Sequence, residues 1–334
     1  MKHDRSEPNK PLYKKPKQVK VSEQDSATIE LFKKANSQAG IRVFVAGGSR
    51  SGYEEDYTEA AYLLGQLIVK MDFKLDFGLS NSGIMGAVAR GVLDGWDLRS
   101  MRENIGAPPI QGITTEKYFA LYPSDDDLIA QMDIVVADSL EERKQKLLNA
   151  DYVVFAPGGV GTLDELAYDC VAMQDGMLPL KPFIIYNING YFHHLLEFLK
   201  HIAHEGFADP VPFIVVDNAS ELEIAFKLLK MRCHKCADGK EAYSTSRQLI
   251  YELPYFIKQK INYDMSVEKC LERINRITDE GSEQDKQFLQ NEMETAYLER
   301  EIEKMYERLA QTGRDTGVVS DKLAKLKKRH KEIR

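Results

Sequence analysis

The sequence predicts an α/β protein: a Rossmann-like, doubly wound, mostly parallel sheet with a C-terminal helical extension. Three observations predict it. Short apolar runs alternate with amphipathic helical stretches from about 41 to 231, and glycines gather where several of those runs end. Beyond 232 the glycines and strand signals thin out and charge becomes dense.

Taken in order, Ile41–Gly48 (IRVFVAGG) is a buried strand running into a glycine turn. Residues 54–70 place Ala60, Ala61, Leu64, Leu67 and Ile68 at helical spacing. LDFG (75–78) is a strand and 83–93 a helix. PIQGI (109–113) and IVVAD (134–138) are strands, and 139–149 is a charged amphipathic helix. DYVVFA (151–156) is the clearest strand, a β-branched run that meets Pro157-Gly158-Gly159. A helix over 161–174, a strand PFIIYN (182–187), a helix over 191–204, a strand FIVV (213–216) and a helix over 218–231 complete the set. Repeated βα units imply a parallel sheet with helices on both faces. Ligands in such sheets sit at the carboxyl ends of the strands, which directs attention to loops 46–52, 78–86, 138–144 and 156–165.

The flanks divide the chain into a tail (1–25), a nucleotide-binding catalytic domain (26–231) and a mainly helical extension (232–334). The tail carries Pro8, Pro11 and Pro16 and seven lysines or arginines in its first twenty residues. It reads as a solvated, disordered segment. In the extension, Leu289, Met293, Ala296, Ile302, Met305 and Leu309 mark one stripe, GRDTG (313–317) is a turn, and a second helix follows from 319. This predicts a helical hairpin.

Composition excludes several classes. With 334 residues, 43% hydrophobic and 29% charged, the chain has globular proportions. No apolar run is long enough to span a bilayer. Four cysteines make no disulfide scaffold and fit a reducing cytoplasm. A net charge of −7 argues against nucleic acid as partner but leaves room for a small anion held by local donors. His193, Glu197, His201 and His204 share a helical face, read as a polar face rather than a metal site; Cys233 and Cys236 are read as free thiols; Asp125-Asp126-Asp127 is read as a helix start. No metal or cofactor is expected.

The chemistry concentrates in Pro157-Gly158-Gly159-Val160-Gly161-Thr162-Leu163-Asp164-Glu165, which follows a strand and opens a helix. Glycines there let the backbone approach an anion, and the exposed N–H groups and helix dipole attract phosphate. Thr162 is placed to cap the helix, and T-x-x-E with Glu165 also fits a capping box.

PGGVGTLDE matches the PGGxGTxxE motif and so resembles the "lonely guy" family, phosphoribohydrolases that cut nucleoside 5′-monophosphates such as cytokinin ribotides and AMP. Three further elements carry the resemblance in the family's order: Gly47-Gly48-Ser49-Arg50-Ser51-Gly52, Gly83-Ile84-Met85-Gly86-Ala87-Val88-Ala89, and Glu142-Arg143-Lys144. The resemblance covers about 41–231. It implies that Arg143 and Glu165 are the catalytic pair, and that Gly158, Gly159, Gly161 and Thr162 cradle the 5′-phosphate. It also implies that Gly47, Gly48, Ser49, Met85 and Gly86 line the nucleotide pocket, with Lys144 a neighbouring charge. It further implies a homodimer or higher homo-oligomer with no cofactor. The chain departs from the family at Gly78-Leu79-Ser80, where three glycines are usual, and this predicts a stiffer, bulkier loop. Molybdenum-cofactor carriers share the fold and supply the alternative, a nucleotide-binding carrier without catalysis.

Overall fold

The computed structural model describes residues 40–103, 108–121, 130–209, 211–232, 239–312 and 317–333. The tail, Asp125–Asp127, Cys233, Cys236 and residues 313–316 of the GRDTG turn lie outside them.

The element order is β1 (Arg42–Ala46), α1 (Glu55–Lys70), β2 (Lys74–Phe77), α2 (Gly83–Glu103), β3 (Ile110–Thr115), α3 (Glu116–Leu121), β4 (Asp133–Ala137), α4 (Leu140–Leu148) and β5 (Tyr152–Phe155). It continues with α5 (Val160–Gln174), β6 (Phe183–Tyr186), a 3-10 turn (Ile188–Gly190), α6 (His193–His204), β7 (Phe213–Val216) and α7 (Ala219–Arg232). Four helices close the chain: α8 (Gly239–Tyr263), α9 (Val267–Glu280), α10 (Glu283–Thr312) and α11 (Gly317–Ile333). The seven strands form one sheet in the order β4-β3-β2-β1-β5-β6-β7, and every pairing is parallel.

A strand buried on both faces sends alternate side chains to opposite sides. On β1, Val43 and Val45 enter the core beneath α1 and α2, whereas Phe44 and Ala46 enter the opposite core. On β5, Tyr152 and Val154 join the first core, and Val153 and Phe155 the second. The second core is closed by Leu147 and Leu148 of α4, Leu166 and Met173 of α5 and Leu196 of α6. The first also takes in Leu253, Phe256, Cys270, Ile274, Leu289 and Ala296, so α8, α9 and α10 pack on the same apolar body as α1, α2 and α7. The predicted hairpin is α10 against α11.

Three differences from the sequence reading have local causes. The helix predicted over 83–93 runs on to Glu103. Gly91 and Gly95 look like stops, yet Gly91 serves close packing. A Cβ on Gly91 would meet the Tyr62 carbonyl carbon at 3.0 Å, and one on Gly65 would meet the Val92 nitrogen at 2.8 Å. The six-residue α3 is too short to show a helical period. Helix α8 hides its period behind Pro254 and the buried polar residues Glu252 and Gln259. No described helix is long and apolar enough to cross a membrane.

The α1–α2 contact offers a test. Gly91→Ala should lower unfolding stability by about 1–3 kcal/mol in chemical denaturation, because backbone rather than a flexible side chain must move. An unchanged midpoint would show that the helices are not held at this spacing.

Candidate functional site

Chain order reverses between β1 and β5, the place where a doubly wound sheet ordinarily opens a ligand crevice beyond the carboxyl ends of its strands. The loops that leave these two strands are tied at their base: the Gly48 N–H donates to the Pro157 carbonyl at 3.1 Å. The Gly48 carbonyl in turn accepts from Ile84 N at 2.9 Å and Met85 N at 3.2 Å, which fixes the start of α2 to the same point. A Cβ on Gly48 would lie 3.2 Å from the Gly158 Cα, and one on Gly158 would lie 2.8 Å from the Gly48 nitrogen. The approach requires glycine at 158, and glycine at 48 keeps it free of a tight contact. Gly47 is buried against Ile84 and Gly86 against the Asn81 backbone, so both shape the crevice through packing. Ser49 is exposed, and its carbonyl accepts from the Ser82 hydroxyl at 3.0 Å.

Helix α5 begins at Val160 with Gly159 as its N-cap. This corrects the expectation for Thr162. The residue lies inside the first turn, nine-tenths or more buried, with its hydroxyl packed beneath Gly158, and it does not cap the helix. T-x-x-E is therefore no capping box here. Ser139 of α4 is a working N-cap with a glutamate three residues on: its Oγ accepts from Glu142 N at 3.1 Å while Glu142 Oε2 accepts from Asp138 N at 2.7 Å. A Cβ on Gly159 or Gly161 would meet nothing within 4 Å, so this end of α5 faces open space.

Fixing the start of α4 places Arg143 in its first turn. Arg143 Nε donates to the Ile113 carbonyl at 2.9 Å and Nη2 to the Gly78 carbonyl at 3.1 Å. Its guanidinium lies over the Tyr118 ring, 5.3 Å from the centroid. The group is thus held by β3, the loop after β2 and α3. Nη1 is directed to Glu165 Oε1 at 3.9 Å, with both side chains largely buried. Among the described residues the Glu165 carboxylate takes no closer partner. Burial raises the Glu165 pKa to about 7, and the opposing pull of Arg143 does not cancel it. Burial also lowers the Arg143 pKa, yet a guanidinium stays charged.

Lys144 stands beside this pair but is engaged elsewhere. It bridges to Asp164 at 3.2 Å and lies over the Tyr168 ring at 4.7 Å. Met85 borders the pair, since its sulfur is 3.3 Å from where a Gly78 Cβ would stand. Leu79 sits in the left-handed region at φ 57°, a conformation that costs a non-glycine residue roughly 1–2 kcal/mol. Its side chain is buried against Gly112, so the added bulk goes into the core below the loop. The candidate residues therefore form one group: Gly48, Met85, Arg143, Gly158, Gly159, Gly161, Thr162 and Glu165. Tyr118, Tyr191 and the carbonyls of Gly78 and Ile113 were missing from the sequence reading. Backbone acceptors carry no residue signal, and a lone aromatic in a six-residue helix carries little. Tyr191 Oη donates to the Gly158 carbonyl.

The metal candidates resolve differently. Glu197 pairs with Lys200 at 3.4 Å and Lys322 at 3.5 Å, and His204 lies 3.2 Å from Glu205. Among the described residues no group of three His, Cys, Asp or Glu is placed to hold an ion.

The fold and the site thus define a doubly wound α/β protein with an open, glycine-rich helix start beside a buried carboxylate–guanidinium pair. A family model described as "Possible lysine decarboxylase" matches residues 85–226. A probable cytokinin riboside 5′-monophosphate phosphoribohydrolase of Oryza sativa subsp. japonica is 31% identical over 179 residues, covering 52% of this chain and 71% of the relative. A cytokinin riboside 5′-monophosphate phosphoribohydrolase of Arabidopsis thaliana is 29% identical over 210 residues, covering 62% of this chain and 90% of the relative. Among solved structures, the molybdenum cofactor carrier protein of Chlamydomonas reinhardtii aligns at a TM-score of 0.41 and 17% identity, covering 57% of this chain and 99% of that one. The chain belongs to the lonely guy (LOG) family of phosphoribohydrolases.

The raised Glu165 pKa sets a stability test. The folded state holds this proton more tightly than the unfolded chain does. The associated stability is full below the ordinary value of 4.5 and is lost as pH rises through about 7. Glu165→Gln should therefore gain stability on the wild type between pH 4.5 and 8, by up to about 3 kcal/mol. A pH-independent difference in denaturation would contradict the assigned shift.

Proposed function

We propose that the protein hydrolyses the N-glycosidic bond of a nucleoside 5′-monophosphate, AMP or a cytokinin ribotide, to free base and ribose 5-phosphate. The observation that carries this reading is the Arg143–Glu165 pair at 3.9 Å beside the glycine-rich start of α5. The names of the relatives support the substrate class.

In this reading the 5′-phosphate rests on the N–H groups of Gly159 to Thr162, where the dipole of α5 favours negative charge. Gly48 and Gly158 keep that backbone free of side chains. The ribose then lies toward Glu165. Departure of the base leaves positive charge on C1′ and the ring oxygen, and an ionised Glu165 stabilises that charge and orients water. Water supplies hydroxide to C1′ and a proton to the leaving nitrogen. Arg143, fixed by two carbonyls and Tyr118, orients the nucleotide and steadies negative charge on the departing base. Because burial disfavours ionised Glu165, kcat/KM should rise with pH along a limb near 7.

We also propose a homodimer built on the exposed face of α5. Val160, Leu163 and Val171 are exposed there at helical spacing, so they give α5 an apolar stripe that a second copy could cover. Light scattering on a sizing column should give twice the chain mass, and a monomer would remove this part of the reading.

The catalytic test is direct. Glu165→Ala and Arg143→Ala should each reduce base release by at least about 100-fold while circular dichroism stays native. Undiminished turnover by a folded Glu165→Ala protein would sink the assignment. Binding of monophosphates by the wild type without release would favour a carrier.

A further inference from the structure

The C-terminal helices reach the same rim of the sheet as the crevice. Asn187 directly follows β6 and Asp217 directly follows β7, both at the carboxyl ends. Helix α10 sends two cations to this rim. Arg300 Nη2 lies 3.1 Å from Asp217 Oδ2 and also contacts Glu221 Oε2, and Lys304 Nζ lies 2.6 Å from Asp217 Oδ2. Glu221 Oε2 accepts from the Asp217 N–H at 2.9 Å, closing the cluster. The Arg300 and Glu221 side chains are only 14% and 12% exposed, so the charges are held with little water. Burial alone would raise the Asp217 pKa, but Lys304 and Arg300 bring it below the ordinary carboxylate value. The two cations of α10 therefore stabilise the Asp217 carboxylate.

The cluster does not stop at Asp217. The Asn187 side-chain amide donates to Asp217 Oδ1 at 3.2 Å, and its carbonyl oxygen accepts from Phe192 N at 2.8 Å. The Asn187 main chain is fixed as well, with its N–H on the Val216 carbonyl at 2.8 Å and its carbonyl accepting from Gly190 N at 3.1 Å. This buried asparagine thus folds the turn 188–192 back on itself. The turn ends in Tyr191, whose ring packs edge-on against Phe192 and Tyr57 with centroids 4.9 Å and 5.6 Å away. Its hydroxyl donates to the Gly158 carbonyl.

We propose that the C-terminal helices position the glycine loop: Arg300 and Lys304 fix Asp217, Asp217 fixes Asn187, and the turn that Asn187 holds sets Tyr191 against Gly158. These are positioning residues, none of which touches the reacting atoms. The kinetic consequence rests on the reading of the loop as the phosphate cradle, while the structural consequence does not. Loop placement governs how the phosphate is held, so the effect should fall on KM more than on kcat.

The experiment uses the full-length chain and a double-mutant cycle. Arg300→Ala with Lys304→Ala should raise KM for a nucleoside 5′-monophosphate roughly 3- to 10-fold, with kcat within about 2-fold, and Tyr191→Phe should do the same. All three substitutions together should raise KM no further than the stronger parent. Hydrogen exchange in the ligand-free protein should quicken at 158–162 and 188–192 in both parents and stay unchanged in β3 and β4, which the turn does not touch. Where the alanine pair fails to fold, Arg300→Lys replaces it, since it keeps charge but loses the fork that reaches both carboxylates. Multiplicative KM effects, or a lower melting temperature with exchange at 158–162 unchanged, would overturn the proposal. If the wild type releases no base from any monophosphate, the proposed activity falls, and the exchange data alone decide the positioning.

Discussion

The crevice depends on two backbones meeting where neither carries a side chain. Gly48 and Gly158 touch at the point where strand order reverses, and the Gly48 N–H and carbonyl bind the loop after β5 and the first turn of α2. Move either loop outward by the width of a methyl group and the start of α5 shifts relative to α2. The distances from the glycine loop to Met85 and to the Arg143–Glu165 pair shift with it. Parallel pairing of β1 with β5 supplies the rigid base, since Val43 to Ala46 run in register with Tyr152 to Phe155.

On that base the pair acquires its chemistry from burial and not from proximity alone. A carboxylate 3.9 Å from a guanidinium would ordinarily be driven down in pKa. Glu165 goes the other way because desolvation outweighs the attraction. Arg143 spends two donors on the Ile113 and Gly78 carbonyls and so cannot fold over Glu165 in a tight bidentate bridge. The result is a carboxylate whose charge is costly where it stands; in the proposed reaction a cation developing on a sugar ring would offset that cost.

Much of this was legible in the sequence because strong local patterns coincide with strong tertiary demands. The runs around Val43–Ala46 and Tyr152–Phe155 are apolar on both faces because helices cover both. The glycine loop is legible because a strand that meets Pro-Gly-Gly must turn there, and Gly158 stands where a side chain would strike the Gly48 backbone and Thr162. Other features were not. Nothing at 143 or 165 says that two helices twenty-two residues apart converge, so that link came from family resemblance. Thr162 has the composition of a cap but lies one turn too deep, because Gly159 ends the strand-to-helix loop first. Gly91 has the composition of a stop but is a contact surface. Tyr118 enters only through tertiary packing. The extension was legible as helix, whereas its attachment through Arg300 and Lys304 to carboxylates more than seventy residues away was not.

The central claim is that phosphate recognition and glycosidic cleavage occur in this one crevice. The most direct measurement is chromatographic detection of free base and ribose 5-phosphate after incubation of the wild-type protein with AMP, other nucleoside 5′-monophosphates and the matching nucleosides without phosphate. The account predicts release from at least one monophosphate and little or none from its nucleoside. Equal release from both would contradict the assigned cradle, and tight binding of every monophosphate with no release would contradict the hydrolase.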